Sequence, residues 1–117
     1  MLTEKDYCNL EISDELRKLG YPKWPYEAMD MDSRLRVIPL YKAQKWLREE
    51  KKIYVEPYYA QTINHMPRFR WRVTNGNSSR FLVDTLDSRE HYHSYEEALS
   101  EGIKEAVKIL KENDNKD

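Results

Sequence analysis

The sequence predicts an α+β domain: a three-stranded antiparallel sheet with helices packed on one face, in the order α-α-β-β-β-α. Three observations predict it. Apolar and cationic residues alternate strictly from Arg68 to Val73, the period of a half-buried strand. Asn75-Gly76 follows that strand, and such a pair supplies the positive φ angles of a tight hairpin. Ser94-Tyr95-Glu96-Glu97 then heads a long apolar stripe at helical spacing: Ala98, Leu99, Ile103, Ala106, Val107 and Leu110.

A first short helix is predicted over Ser13–Gly20. Ser13 suits the N-cap, Asp14 and Glu15 the positive end of the helix dipole, and Gly20 the left-handed residue after the last turn. Ile12, Leu16 and Leu19 form its apolar stripe. Residues 21–39 read as an irregular aromatic connector, because Pro22, Pro25 and Pro39 forbid a continuous helix or central strand. Tyr21, Trp24, Tyr26, Met29 and Met31 make it adhesive, which suits packing over the core or capture of a protein partner.

The second helix runs from about Pro39 to Lys51, with Leu40, Ala43, Trp46 and Leu47 inward and Lys42, Lys45, Arg48 and Lys52 outward. The first strand opens at Ile53-Tyr54-Val55-Glu56. Pro57 makes it an edge strand or bends it, with a continuation through Tyr58 to Ile63. The second strand is Arg68 to Thr74, and the third spans about Arg80 to Leu86. Phe69, Trp71 and Val73 face the helices.

At 117 residues the chain is read as a single domain over residues 1–112, with a disordered tail at 113–117. It carries 39% hydrophobic and 12% aromatic residues, enough for one core. The single Cys8 excludes an internal disulfide and suggests a reducing compartment. No apolar run approaches the ~20 residues of a membrane span, and the N-terminus lacks a secretory pattern. The expectation is a cytoplasmic protein without a membrane partner.

Net charge is only -1 but segregated: residues 34–80 hold eleven Lys/Arg against three Asp/Glu, and the remainder nine against eighteen. Such blocks either create one basic side or neutralise each other across the fold.

Catalytic and metal chemistry finds little support. Three glycines leave no room for a phosphate loop, and one Cys cannot build a zinc site. His91 and His93, with Glu90 and His65, are the remaining metal candidates. Alternating His in a polar loop are more simply solvent-exposed. Cys8 has no evident base, and no carboxylate pair stands out as an acid/base couple. No cofactor and no enzymatic activity are expected.

The candidate nucleic-acid surface is the arginine face: Arg68, Arg70 and Arg72, with Arg80 and Tyr54. Guanidinium groups bind phosphate bidentately, and Tyr54 or Tyr58 could stack on bases. Cross-strand pairing with Glu56 and Asp84 is the competing structural role. The candidate protein-interaction residues are Trp24 and Tyr26.

Two families resemble parts of the layout. The helix–three strands–helix order of residues 40–110 is similar to double-stranded RNA-binding domains, which contact phosphate through a Lys-rich start of the last helix. Here that start is the acidic Ser94-Tyr95-Glu96-Glu97. The strands with Tyr92-x-Ser94-Tyr95-Glu96-Glu97-Ala98 resemble AP2-type and integrase-arm DNA-binding domains, whose helix lies behind a three-stranded sheet. Over most of its length the chain looks like small uncharacterised proteins of prophages and mobile elements of gut bacteria. Leu40-Tyr41-Lys42-Ala43-Gln44-Lys45-Trp46-Leu47-Arg48-Glu49, Ile12-Ser13-Asp14-Glu15-Leu16, Gly20-Tyr21 and Tyr95-Glu96-Glu97-Ala98 carry that likeness. It implies no activity, cofactor or catalytic residue.

Overall fold

The computed structural model describes residues 6–22, 28–29, 36–75 and 85–114. Helix α1 spans Leu10–Lys18 and starts a turn earlier than its sequence suggests, because Asn9 caps it. The Asn9 side chain accepts the Ile12 N–H at 2.8 Å. Asn is as good a cap as Ser, so Ser13 is released for another task. It is buried inside α1, and its Oγ accepts the Ile38 N–H at 3.1 Å. At the other end Gly20 has φ +116°, the Gly20 N–H reaches Arg17 O, and the Tyr21 N–H reaches Leu16 O. These two bonds make a Schellman motif, which a residue with a Cβ would strain.

The connector is not irregular throughout. Ala28–Met29 (β1) and Arg36–Val37 (β2) pair antiparallel. The three prolines bracket residues 26–38 and interrupt none of them, so nothing in that interval opposes pairing. The element order is therefore α-β-β-α-β-β-β-α, a correction to the order expected from sequence. Helix α2 spans Leu40–Glu50 with Pro39 at its N-cap, and buries Leu40, Ala43 and Leu47.

The sheet is built on one long antiparallel hairpin. Strand β3 runs unbroken from Ile53 to Ile63 and β4 from Met66 to Asn75. Asn64 (φ 52°) and His65 (φ 65°) form the two-residue turn between them. Positive φ at both turn residues is the hairpin-favouring conformation, and Asn tolerates it. The expected turn at Asn75-Gly76 extends beyond the described residues. Pro57 lies within β3, which is an edge strand of the sheet order β3-β4-β5, where a missing N–H is tolerated. The register shifts between Tyr59 and Gln61, leaving Ala60 as a bulge. The strand expected over residues 80–86 is not seen with those bounds. Residues 80–84 lie outside the described residues, and the described part of this strand is Thr85–Asp87 (β5), which pairs with the other edge of β4.

Helix α3 spans Tyr95–Asp114, two residues into the expected tail. Ser94 caps it by accepting the Glu97 N–H at 3.1 Å. Its apolar stripe covers Ile53, Val55, Trp71 and Val73, and all of these are buried. Each fully buried side chain of this kind contributes roughly 1.5–3 kcal/mol. Gly102 sets the depth of the contact: a Cβ there would lie 2.6 Å from Val55 Cγ1 and 3.3 Å from Trp71 Cβ. Leu40, Ala43 and Leu47 of α2 and Leu16 of α1 extend the same core. Cys8 belongs to it too, 3% exposed, with its N–H on Ile38 O at 2.8 Å.

Candidate functional site: the outward sheet face

Strand parity carries the alternation of β4 into space. Trp71 and Val73 face the helices, while Arg68, Arg70 and Arg72 share the opposite face. In register with the arginines stand Gln61, Tyr58 and Glu56 of β3, and Tyr54 lies opposite Thr74. The structure thus brings Tyr54, Tyr58 and the three arginines onto one surface.

Each arginine already has a partner in the segment that returns along β4. Arg72 Nε donates to Asp87 Oδ1 at 2.9 Å, and its guanidinium lies 5.2 Å from the centre of the Tyr58 ring. Arg70 donates through Nε at 2.8 Å, and also through Nη2, to the Ser88 carbonyl. Arg68 Nη1 lies 2.8 Å from His93 Nδ1. Because guanidinium only donates, Nδ1 accepts and carries no proton in that contact. The row therefore clasps residues 87–93 to β4. Ser88 completes the clasp from beneath: its Oγ accepts the Trp71 N–H at 3.0 Å, and its N–H reaches Trp71 O at 2.9 Å. One bridge further along, Phe69 and Tyr92 exchange both backbone bonds.

The carboxylate that holds Arg72 is Asp87. Glu56 faces Arg72 across the β3–β4 register without closing an ion pair. Asp84 lies outside the described residues, as do Arg80, Trp24 and Tyr26. Asp87 stands directly opposite Arg72 in the β4–β5 register, and such opposed residues on one face are natural partners. The hydrogen bond to Asp87 raises the Arg72 pKa further above its already high ordinary value. The guanidinium stays charged. Its Nη groups make no hydrogen bond or ion pair among the described residues.

Between residues 88–92 and α3 runs an open groove of about 380 Å³ with Trp71 and Tyr92 in its wall. Burial pushes the Tyr92 phenol above its usual value. The groove's charges alternate, and Lys104 pairs with Glu101 at 2.8 Å. His91 and His93 do not gather with other ligating groups. Among the described residues no cluster of three or more His, Cys, Asp or Glu could hold a metal ion. No helix is long and apolar enough to cross a membrane among those residues.

Comparisons with protein-family models, curated proteins and solved structures return no match to this chain.

Sequence reasoning missed Ser88, His93 and Asp87 as partners of the arginine row. A cross-strand search limited to the strand proper stops at Leu86. Extending the same antiparallel register by one residue would have put Asp87 opposite Arg72.

Proposed function

We propose that this chain is a non-enzymatic binding module, an accessory protein of a phage or mobile element, that contacts nucleic acid weakly through the outward sheet face. One observation carries the reading. The helices pack against the other side of the sheet, and the outward side presents Tyr58 with the Arg72 guanidinium stacked on it. An aromatic ring beside a guanidinium whose Nη donors have no partner among the described residues offers one surface for a base and one for a phosphate. Tyr54 lies on the same face of β3, four residues before Tyr58. Weakness follows from the clasp, because Asp87, Ser88 and His93 already occupy part of the donor capacity that phosphates would use.

The experiment exploits that competition. Fluorescence anisotropy of labelled duplex and single-stranded DNA is measured over a salt series with the natural chain and with Asp87→Asn. Releasing Arg72 should tighten binding and steepen the plot of log affinity against log salt by about 0.9 for one more neutralised phosphate on duplex. Tyr58→Ala should weaken single-strand binding. Absence of binding at low salt, or indifference to Asp87→Asn, refutes the reading.

A further inference from the structure

Among the described residues, the helix-facing side of the hairpin is covered along only half its length, and the other half is aromatic. Pro57, Tyr59 and Phe69 continue the parity of Val55, Trp71 and Val73, yet Tyr59 is 56% exposed where Val55 is 1%. Tyr59 meets Phe69 edge to face at 5.9 Å, and Phe69 meets Tyr95, the first residue of α3, at 6.5 Å. Tyr95 is 44% exposed, and Met66 beside the turn 52%. The Tyr59 hydroxyl bonds the Thr62 hydroxyl, which the Ala60 bulge brings to the same face. The ladder is thus ordered before any partner arrives, which lowers the entropic cost of binding.

Two features restrict what can cover it. The β3 edge is guarded: Gln44 Nε2 occupies the Val55 carbonyl at 2.7 Å, Pro57 has no N–H, and the bulge breaks the register beyond it. An added strand therefore finds no regular ladder, and recognition must go through side chains. The α3 end of the ladder is acidic, since Glu96 and Glu97 follow Tyr95 in the first turn and the first cation of that helix, Lys104, is already paired with Glu101. Arg68, the nearest cation on β4, is turned to the other face and engaged by His93. A second copy laid symmetrically on this surface would set acid against acid.

We propose that the Tyr59–Phe69–Tyr95 ladder is a protein-docking surface for a cationic, apolar segment of a different protein, with Lys or Arg over the tyrosine rings and toward Glu96 and Glu97. The chain already uses such pairings internally, at Arg72 over Tyr58 and at Lys51, 5.5 Å from the Trp46 ring centre.

The test uses the whole chain, labelled for amide NMR, titrated with an amphipathic Lys/Leu model peptide and with its Glu/Leu counterpart. The Lys/Leu peptide should shift amides of residues 58–69 and 94–97, and the acidic peptide should not. Tyr59→Ser with Tyr95→Ser should weaken the Lys/Leu interaction at least about tenfold. Glu96→Gln with Glu97→Gln, which keeps the Ser94 cap, should flatten its salt dependence. No shifts at these positions, equal binding of the acidic peptide, or insensitivity to the tyrosine changes overturns the proposal. So does a concentration-dependent dimer that Tyr59→Ser abolishes. The DNA measurements read the opposite face, so either proposal can fail alone.

Discussion

The two halves of the β3–β4 hairpin share one alternation and meet opposite fates. Near the strand ends by α2 and β5, Val55, Trp71 and Val73 are all at most 7% exposed. Toward the turn, Tyr59 on the same face is more than half exposed. Strand parity decides which side of a sheet a residue occupies. Coverage is a separate matter, decided by where a helix can approach. Here α3 approaches at Gly102, and its axis begins only at Tyr95, beside Phe69. Beyond that point the sheet has no second layer among the described residues.

Truncation on either side of this boundary should give the largest contrast. Trp71→Ala removes the largest side chain of the covered half and should cost about 3–5 kcal/mol in urea unfolding. Tyr59→Ala, on the same face, should stay within about 0.5 kcal/mol. Similar values would mean that the distal half is as packed as the proximal one. Gly102→Ala comes next and tests the approach itself. Helix propensity alone favours Ala by about 1 kcal/mol, but the new methyl would sit 2.6 Å from Val55 Cγ1. Overpacking typically costs about 1–3 kcal/mol, so net destabilisation is expected. A stabilised Gly102→Ala protein would show that α3 can ride higher on the sheet without loss.

How much of this was legible in the sequence depends on the range of the forces involved. The Ser94 cap and the α3 stripe are local, and they appear where the spacing puts them. So does the inward set of Phe69, Trp71 and Val73, because period two needs no tertiary information. The α1 cap was misassigned because Asn9 and Ser13 are equivalent by propensity, and only the distant Ile38 amide distinguishes them. The Asn64-His65 turn carries no Asn-Gly or Asp-Gly pair, the marker of a two-residue hairpin loop, so only the positive φ angles of the folded chain reveal it. The arginine row was legible as a row. Its partners were not, because Ser88 and His93 belong to a returning segment whose path is fixed by bonds to Trp71 and Phe69.

The clasp on the outer face should respond less than either core change. Arg72→Gln, Asp87→Asn and the double variant form a cycle whose coupling should be favourable and smaller than the Gly102→Ala effect, since both side chains are over 40% exposed. The coupling should shrink with added salt. A coupling as large as the Gly102→Ala effect would mean that the outer face holds the hairpin together as much as the core does.

The smallest effect concerns the layer that covers the proximal half. Lys111 of α3 reaches Glu15 of α1 at 3.0 Å, and that hydrogen bond holds the Glu15 carboxyl below its ordinary range. A depressed carboxyl pKa stabilises the fold above the unfolded pKa, and the contribution disappears as pH falls through the folded one. The natural chain and Lys111→Met should therefore differ in unfolding midpoint at neutral pH and converge on acidification. A difference that persists below the Glu15 titration would assign the effect to packing of the Lys111 stem against α1 rather than to charge.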